Sequence, residues 1–146
     1  MTVVFDLENI VITVNNDVNH LWNFNVEVFI KKVLFATAFK QGNFEFSFIS
    51  DQQMIALNQQ YFDKQKTTDV ISFNLGSIDN PSADIYISIQ EARRNIIELG
   101  HTLDNEIQIL IIHGILHVKG YEDYNESQRS IMFKEQDKIL KVVEGL

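Results

Sequence analysis

His113-Gly114-Ile115-Leu116-His117-Val118-Lys119-Gly120-Tyr121-Glu122-Asp123 is the stretch from which the rest of the chain can be laid out. Its two histidines stand four residues apart, and on an α-helix that spacing stacks both imidazoles on one face, within reach of a single ion. The preceding sequence supports a buried helix, because Leu103 to Val118 carries Ile107, Leu110, Ile111, Ile115 and Leu116. Gly120 sits just past its end, where glycine enters the left-handed conformation most easily. The reversal it permits brings Glu122 or Asp123 back towards the histidines. Two imidazoles and one carboxylate leave a position for water, which is the ligand set of an open, hydrolytic zinc site. Glycine rather than glutamate follows the first histidine, so the base of an HExxH metalloprotease is missing, and Gly114 is expected to leave room near the metal.

A buried helix needs a sheet to lie on. Phe44, Phe46 and Phe48 alternate with Glu45 and Ser47 as a strand does, and Val70–Asn74 and Asp84–Ser88 supply two more. Val3–Phe5 and Ile10–Val14, ahead of the polar break Asn15–Asn19, give one or two short strands at the start. Between these, apolar residues from His20 to Phe39 recur at spacings of three and four and predict a helix. Ser50 with Gln53, Ser88 with Glu91 and Asn125 with Gln128 mark three further helix starts, and Gly100 a helix stop. The expected fold is α+β: a small mixed sheet of about four strands packed with about five helices, the histidine helix central, and the metal site at its C-terminal end.

Composition sets the outer bounds. The 146 residues are 45% hydrophobic, enough for one core, so a single domain over 1–146 is expected. No apolar run approaches the roughly 18 residues of a membrane span, and no basic leader precedes an apolar stretch, so a soluble cytoplasmic protein with no membrane partner is expected. Cysteine is absent, which leaves His, Asp, Glu and water to build any transition-metal site. The net charge of −8, from 12 cations against 20 acids, opposes broad nucleic-acid binding unless Lys31, Lys32, Lys40, Lys64, Lys66, Arg93 and Arg94 gather on one face.

Simpler roles compete at each remaining residue. A bare HxxxH is more often a pair of histidines satisfied by backbone carbonyls. Asp69, with Thr68, fits a turn cap slightly better than a groove residue. Asp84 suits a strand end as well as a site-ordering role. Glu106, two helical turns before His113, is expected to be a solvated first-turn acid, and His20 and His101 cap or surface residues. The three alternating phenylalanines fit a buried sheet face better than base-stacking platforms.

The full eleven-residue pattern is more specific, and it resembles the signature of the YbeY family, H-G-x-L-H-L-x-G-Y-D-H. His113, Gly114, Leu116, His117, Gly120 and Tyr121 match it, Val118 replaces leucine and Glu122 replaces aspartate. Asp123 stands where the family usually carries a third histidine ligand. Leu57-Asn58-Gln59-Gln60-Tyr61 and Thr67–Phe73 resemble the LNxxYR and PTDVLSF segments with their spacing kept, although Phe62 takes the place of the arginine. Asp84–Ser88 resembles the GDIxIS strand, with Ala83 for the glycine, so the resemblance runs from about Met54 to Tyr124.

This resemblance implies a zinc-dependent, single-strand-specific endoribonuclease that matures ribosomal RNA at the 3′ end of the small-subunit (16S) RNA and serves ribosome quality control. It implies one Zn2+, or another divalent ion, on His113, His117 and Asp123, with Glu122 a candidate catalytic group for proton transfer. The implied partners are ribosomal RNA, the small ribosomal subunit, and a ribosomal protein or GTPase. Two other readings fit the same residues: a non-catalytic ribosome-assembly factor that keeps the metal, and a metallohydrolase of another substrate.

Overall fold

The computed structural model describes the backbone of residues 1–146 and all side chains except those of Phe5 and Leu7. Five strands, β1 (Thr2–Leu7), β2 (Ile10–Asn16), β3 (Gly42–Ile49), β4 (Val70–Asn74) and β5 (Ser82–Ser88), form one sheet in the order β1-β2-β3-β5-β4. Five helices accompany it: α1 (Val26–Ala36), α2 (Asp51–Phe62), α3 (Ile89–Leu99), α4 (Leu103–Val118) and α5 (Glu126–Glu144). The sheet is mixed, parallel at β2-β3 and β3-β5 and antiparallel at its two edges. It has one strand more than the four expected, because both opening segments enter it as a hairpin that pairs Thr2 with Asn15 and Leu7 with Ile10.

Alternation along the inner strands creates the core. Ile10, Ile12 and Val14 on β2, Phe44, Phe46 and Phe48 on β3, and Ala83, Ile85 and Ile87 on β5 are all buried in one apolar cluster with residues of α1, α4 and α5. The phenylalanines are therefore core residues, as their alternation predicts. The opposite face carries a smaller cluster, Ile49, Met54 and Ile71, beneath α2. Helix α4 touches β4 and β5 as well as α1, α3 and α5, so the histidine helix is central.

Helix α1 starts six residues later than the periodicity from His20 indicates. The Asn25 side chain accepts the Val28 N–H at 3.0 Å and fixes the start at Val26. Before it, Trp22 and Phe24 have apolar spacing because they pack edge-on against Phe48 and Phe29, and they do so from a loop. At α2 the expected capping box is complete, Ser50 and Gln53 each satisfying the other's backbone N–H. At α3 only half of it forms: Ser88 Oγ accepts from the Glu91 N–H, whereas the Ser88 N–H donates to the Asp69 carbonyl at 2.9 Å. Asn125 caps α5 through the Gln128 N–H, as expected. Among the described residues, no helix is long and apolar enough to cross a membrane.

Candidate metal centre

Helix α4 packs tightly on the sheet at Gly114. A Cβ there would lie 2.7 Å from Ile85 Cγ2 and 3.2 Å from Ser72 Oγ, and the Ser72 hydroxyl donates to the Gly114 carbonyl at 3.0 Å. The space this glycine leaves is thus taken by β4 and β5, not held open near a metal as the sequence suggested. Seating the helix this low fixes the height of His113 and His117 on either side of the contact.

After Val118 the chain turns back sharply. The Gly120 and Tyr121 N–H groups donate to the carbonyls of His117 and Leu116, each at 3.0 Å, and Gly120 adopts φ +109°, in the positive-φ region that strains L side chains. Of the two acids that the spacing left open, it is Asp123 that returns to the histidines. Nε2 of His113 and Nε2 of His117 are 3.1 Å apart, and Asp123 Oδ2 lies 3.3 Å from the first and 3.5 Å from the second. Ligands about 2.0–2.1 Å from a tetrahedral zinc are about 3.3 Å from one another, so these three atoms span one face of such a tetrahedron. Among the described residues this is the single His/Asp/Glu cluster with metal-holding geometry.

The hydrogen bonds behind the imidazoles decide which nitrogen faces inward. His117 Nδ1 is 3.0 Å from the Tyr121 carbonyl, which can only accept, so Nδ1 carries the proton and Nε2 presents its lone pair. His113 Nδ1 donates in the same way to Gln136 Oε1 at 3.1 Å. Two inward lone pairs at this separation repel unless a cation or proton stands between them. Burial first, and then the neighbouring His113, lowers the affinity of His117 for a proton below that of an ordinary histidine, while Asp123 partly offsets this. The donor set therefore fits a divalent cation.

His117 and Asp123 open onto a cleft of about 590 Å³ walled by the end of α2, by β4 and by the loop after α4. Glu122 is exposed on its rim, outside the donor triangle, and accepts a long hydrogen bond from Gln128 Nε2 at 3.5 Å. Thr68 lines this cleft. A second cavity of about 470 Å³ lies on the His113 side. In it Asn95 Nδ2 donates to Asp69 Oδ2 and Glu106 Oε2, each at 3.0 Å, and His101 Nε2 meets Glu106 Oε1 at 3.0 Å. Glu106 is thus 3% exposed, not a solvated acid, because α3 packs over the first turn of α4 and satisfies both of its oxygens. His101 is its partner rather than a cap, that position belonging to Thr102. Burial pushes the Asp69 carboxyl up, although the bond from Asn95 opposes this. His20 is not a plain surface residue either, for its Nε2 is enclosed without a hydrogen-bond partner. Asp84 sits opposite Glu45 on β3 and lines neither cavity.

The basic residues do not gather. Lys64 and Lys66 line the metal cleft, Lys32 and Arg93 line separate grooves, and Arg94 is tied to Asp51 and Glu91. The residue that the sequence reading missed is Gln136. It occupies one place in the buried stripe Met132, Gln136, Ile139, Val143 of α5, and a lone amide in such a stripe signals a polar partner across the core.

The sequence profile of the family described as Endoribonuclease YbeY matches residues 9–144. The chain is 35% identical to the Endoribonuclease YbeY of Acholeplasma laidlawii over 129 residues, covering 85% of this chain and 94% of that protein. It is 34% identical to the Endoribonuclease YbeY of Karelsulcia muelleri over 122 residues, covering 81% of this chain and 84% of that one. The solution structure of a Thermotoga maritima protein superposes with a TM-score of 0.62 at 24% identity over 90% of this chain and 89% of that one, which shows a shared fold. With a match over nearly its whole length, this chain belongs to the YbeY endoribonuclease family.

Proposed function

We propose that the chain is a zinc-dependent endoribonuclease that cuts single-stranded RNA during ribosomal RNA maturation, at the 3′ end of the small-subunit RNA, and in ribosome quality control. In this reading residues 1–146 work as one metallohydrolase unit in the cytoplasm, on the small ribosomal subunit, alongside a ribosomal protein or GTPase. The observation that carries it is the triangle His113, His117 and Asp123, with edges of a zinc tetrahedron, open to a cleft in a chain of this family.

His113, His117 and Asp123 would hold the zinc, which would supply an acidified water and polarise a phosphoryl oxygen. The protein's own groups do the rest. Gln136 and the Tyr121 carbonyl hold the two imidazoles in the tautomer that turns the Nε2 lone pairs inward. Glu122, exposed on the cleft rim, is the group assigned to carry a proton to or from the reacting oxygen, a role its exposure to the cleft supports. Lys64 and Lys66 draw the phosphate backbone into the cleft of an otherwise acidic protein.

The test is metal analysis together with cleavage of a single-stranded ribosomal RNA fragment, after rigorous removal of contaminating nucleases. Wild type is expected to hold one zinc and cut, and His117→Ala to lose both. Glu122→Gln should keep the metal and lose about a hundredfold or more in turnover. A protein that holds zinc and binds RNA but never cuts favours the second reading, a non-catalytic assembly factor, which is supported by the acidic net charge and by Phe62 lining the cleft where the resemblance leads one to expect an arginine.

A further inference from the structure

The metal cleft has an aromatic wall that the hydrolytic chemistry does not require. Phe62 ends α2 with its ring parallel to that of Phe73 on β4, 9° between planes and 6.0 Å between centroids. Phe73 is held from other sides by Tyr61 at 4.9 Å and Tyr86 at 6.3 Å, so the plane of Phe62 rests on a fixed support. Phe62 nevertheless remains 48% exposed, and Tyr124, just beyond Asp123, is 79% exposed. Both line the cleft onto which His117 and Asp123 open.

Cations stand beside them. After Phe62 the chain turns through Asp63 at φ +53°, the Lys64 N–H donates to the Asn58 carbonyl at 3.2 Å, and the buried Asn58 side chain donates to the Lys66 carbonyl at 2.7 Å. This pinned turn presents Lys64 and Lys66 to the same cleft, and neither has an ion-pair partner among the described residues. Exposed rings and lysines without ion-pair partners lining one cleft are the two kinds of group that take the base faces and the phosphates of an unpaired strand.

We propose that Phe62 and Tyr124 are stacking platforms for unpaired RNA bases in the cleft beside the metal site of His113, His117 and Asp123, with Lys64 and Lys66 contacting the neighbouring phosphates. This rests on the endoribonuclease reading and deepens it. A duplex conceals the faces of its bases, so a site built from ring faces selects single strands by the shape of its partner and tolerates any sequence.

The test is fluorescence anisotropy with the full-length protein, in chelator to stop turnover, comparing a short single-stranded oligoribonucleotide with an abasic strand of equal length and charge. Wild type is expected to prefer the base-bearing strand by about fivefold or more for each stacked base. Phe62→Leu keeps an apolar contact with Phe73 but offers no ring face, and with Tyr124→Ala it should bring that ratio close to unity, while Phe62→Trp preserves it. Lys64→Gln and Lys66→Gln should weaken both strands alike and flatten the salt dependence. The proposal is overturned if wild type does not distinguish the strands, or if folded Phe62→Leu and Tyr124→Ala keep the wild-type ratio. A metal-loaded protein that cuts RNA with no such preference sinks only the platforms; one that discriminates but never cuts sinks only the nuclease reading.

Discussion

His113 can point a lone pair at a metal only while Gln136 accepts its other ring proton. Gln136→Leu leaves that N–H buried and unpaired, and a lost partner of this kind typically costs about 10- to 100-fold in metal affinity. Competition against a calibrated zinc chelator measures it, and an unchanged affinity would show the bond to be incidental. At His117 the sign of the pH dependence follows from burial, which places its folded pKa below the ordinary 6.5. As pH falls below 6.5 the unfolded chain takes up a proton that the folded chain does not, so the metal-free protein must lose stability in that window and hold it above. Urea unfolding across the window should show this slope in wild type and a flatter one in His117→Asn. At this scale the two histidines and Asp123 could be picked out from spacing and resemblance. Gln136 stands out only as a lone amide in an apolar stripe, and nothing local names its partner, His113, 23 positions away.

The last turn of α4 and the reversal after it set the site at the scale of an element. At Gly120, φ +109° lies where an L side chain is strained, and Ile78 Cδ1 would crowd an added Cβ at 3.3 Å. Gly120→Ala is expected to cost about 1–3 kcal/mol and to displace Asp123, so that zinc affinity falls even though no ligand has changed. Gly114→Ala acts from the other side: its Cβ meets the sheet, overpacking costs about 1–3 kcal/mol, and the melting temperature should drop whether or not metal is present. Comparing melting temperature with metal affinity separates the two variants. Capping was legible in the sequence where the partner is three residues away, as at Ser50, Asn125 and the Ser88 side chain. It failed where a distant group competed: the Ser88 N–H went to Asp69 on a neighbouring segment.

For the molecule as a whole, Asp123 reaches the histidines only in the folded chain, so under the proposed function zinc would bind the native state and stabilise it by mass action. A thousandfold excess over the dissociation constant contributes about 4 kcal/mol, on the order of 10 °C in melting temperature for a chain of this size. Thermal melts with zinc and with chelator should differ by that amount in wild type and coincide in Asp123→Ala. The alternation of β2 and β3, the apolar stripe of α4 and the paired histidines are periodic features, and period alone names an element and its buried face, so the α+β class and the core were determined by the sequence. It also carried His113, His117 and Asp123, the residues able to hold a metal, which lie within eleven residues of one another. What only the tertiary structure decided depends on segments far apart in the chain: the fifth strand, the burial of Glu106 between Asn95 and His101, the sheet contact at Gly114, and the separation of Lys64 and Lys66 from the other cations. Those outcomes follow from which surfaces pack together, and packing is a property of the pairs of elements rather than of either one alone.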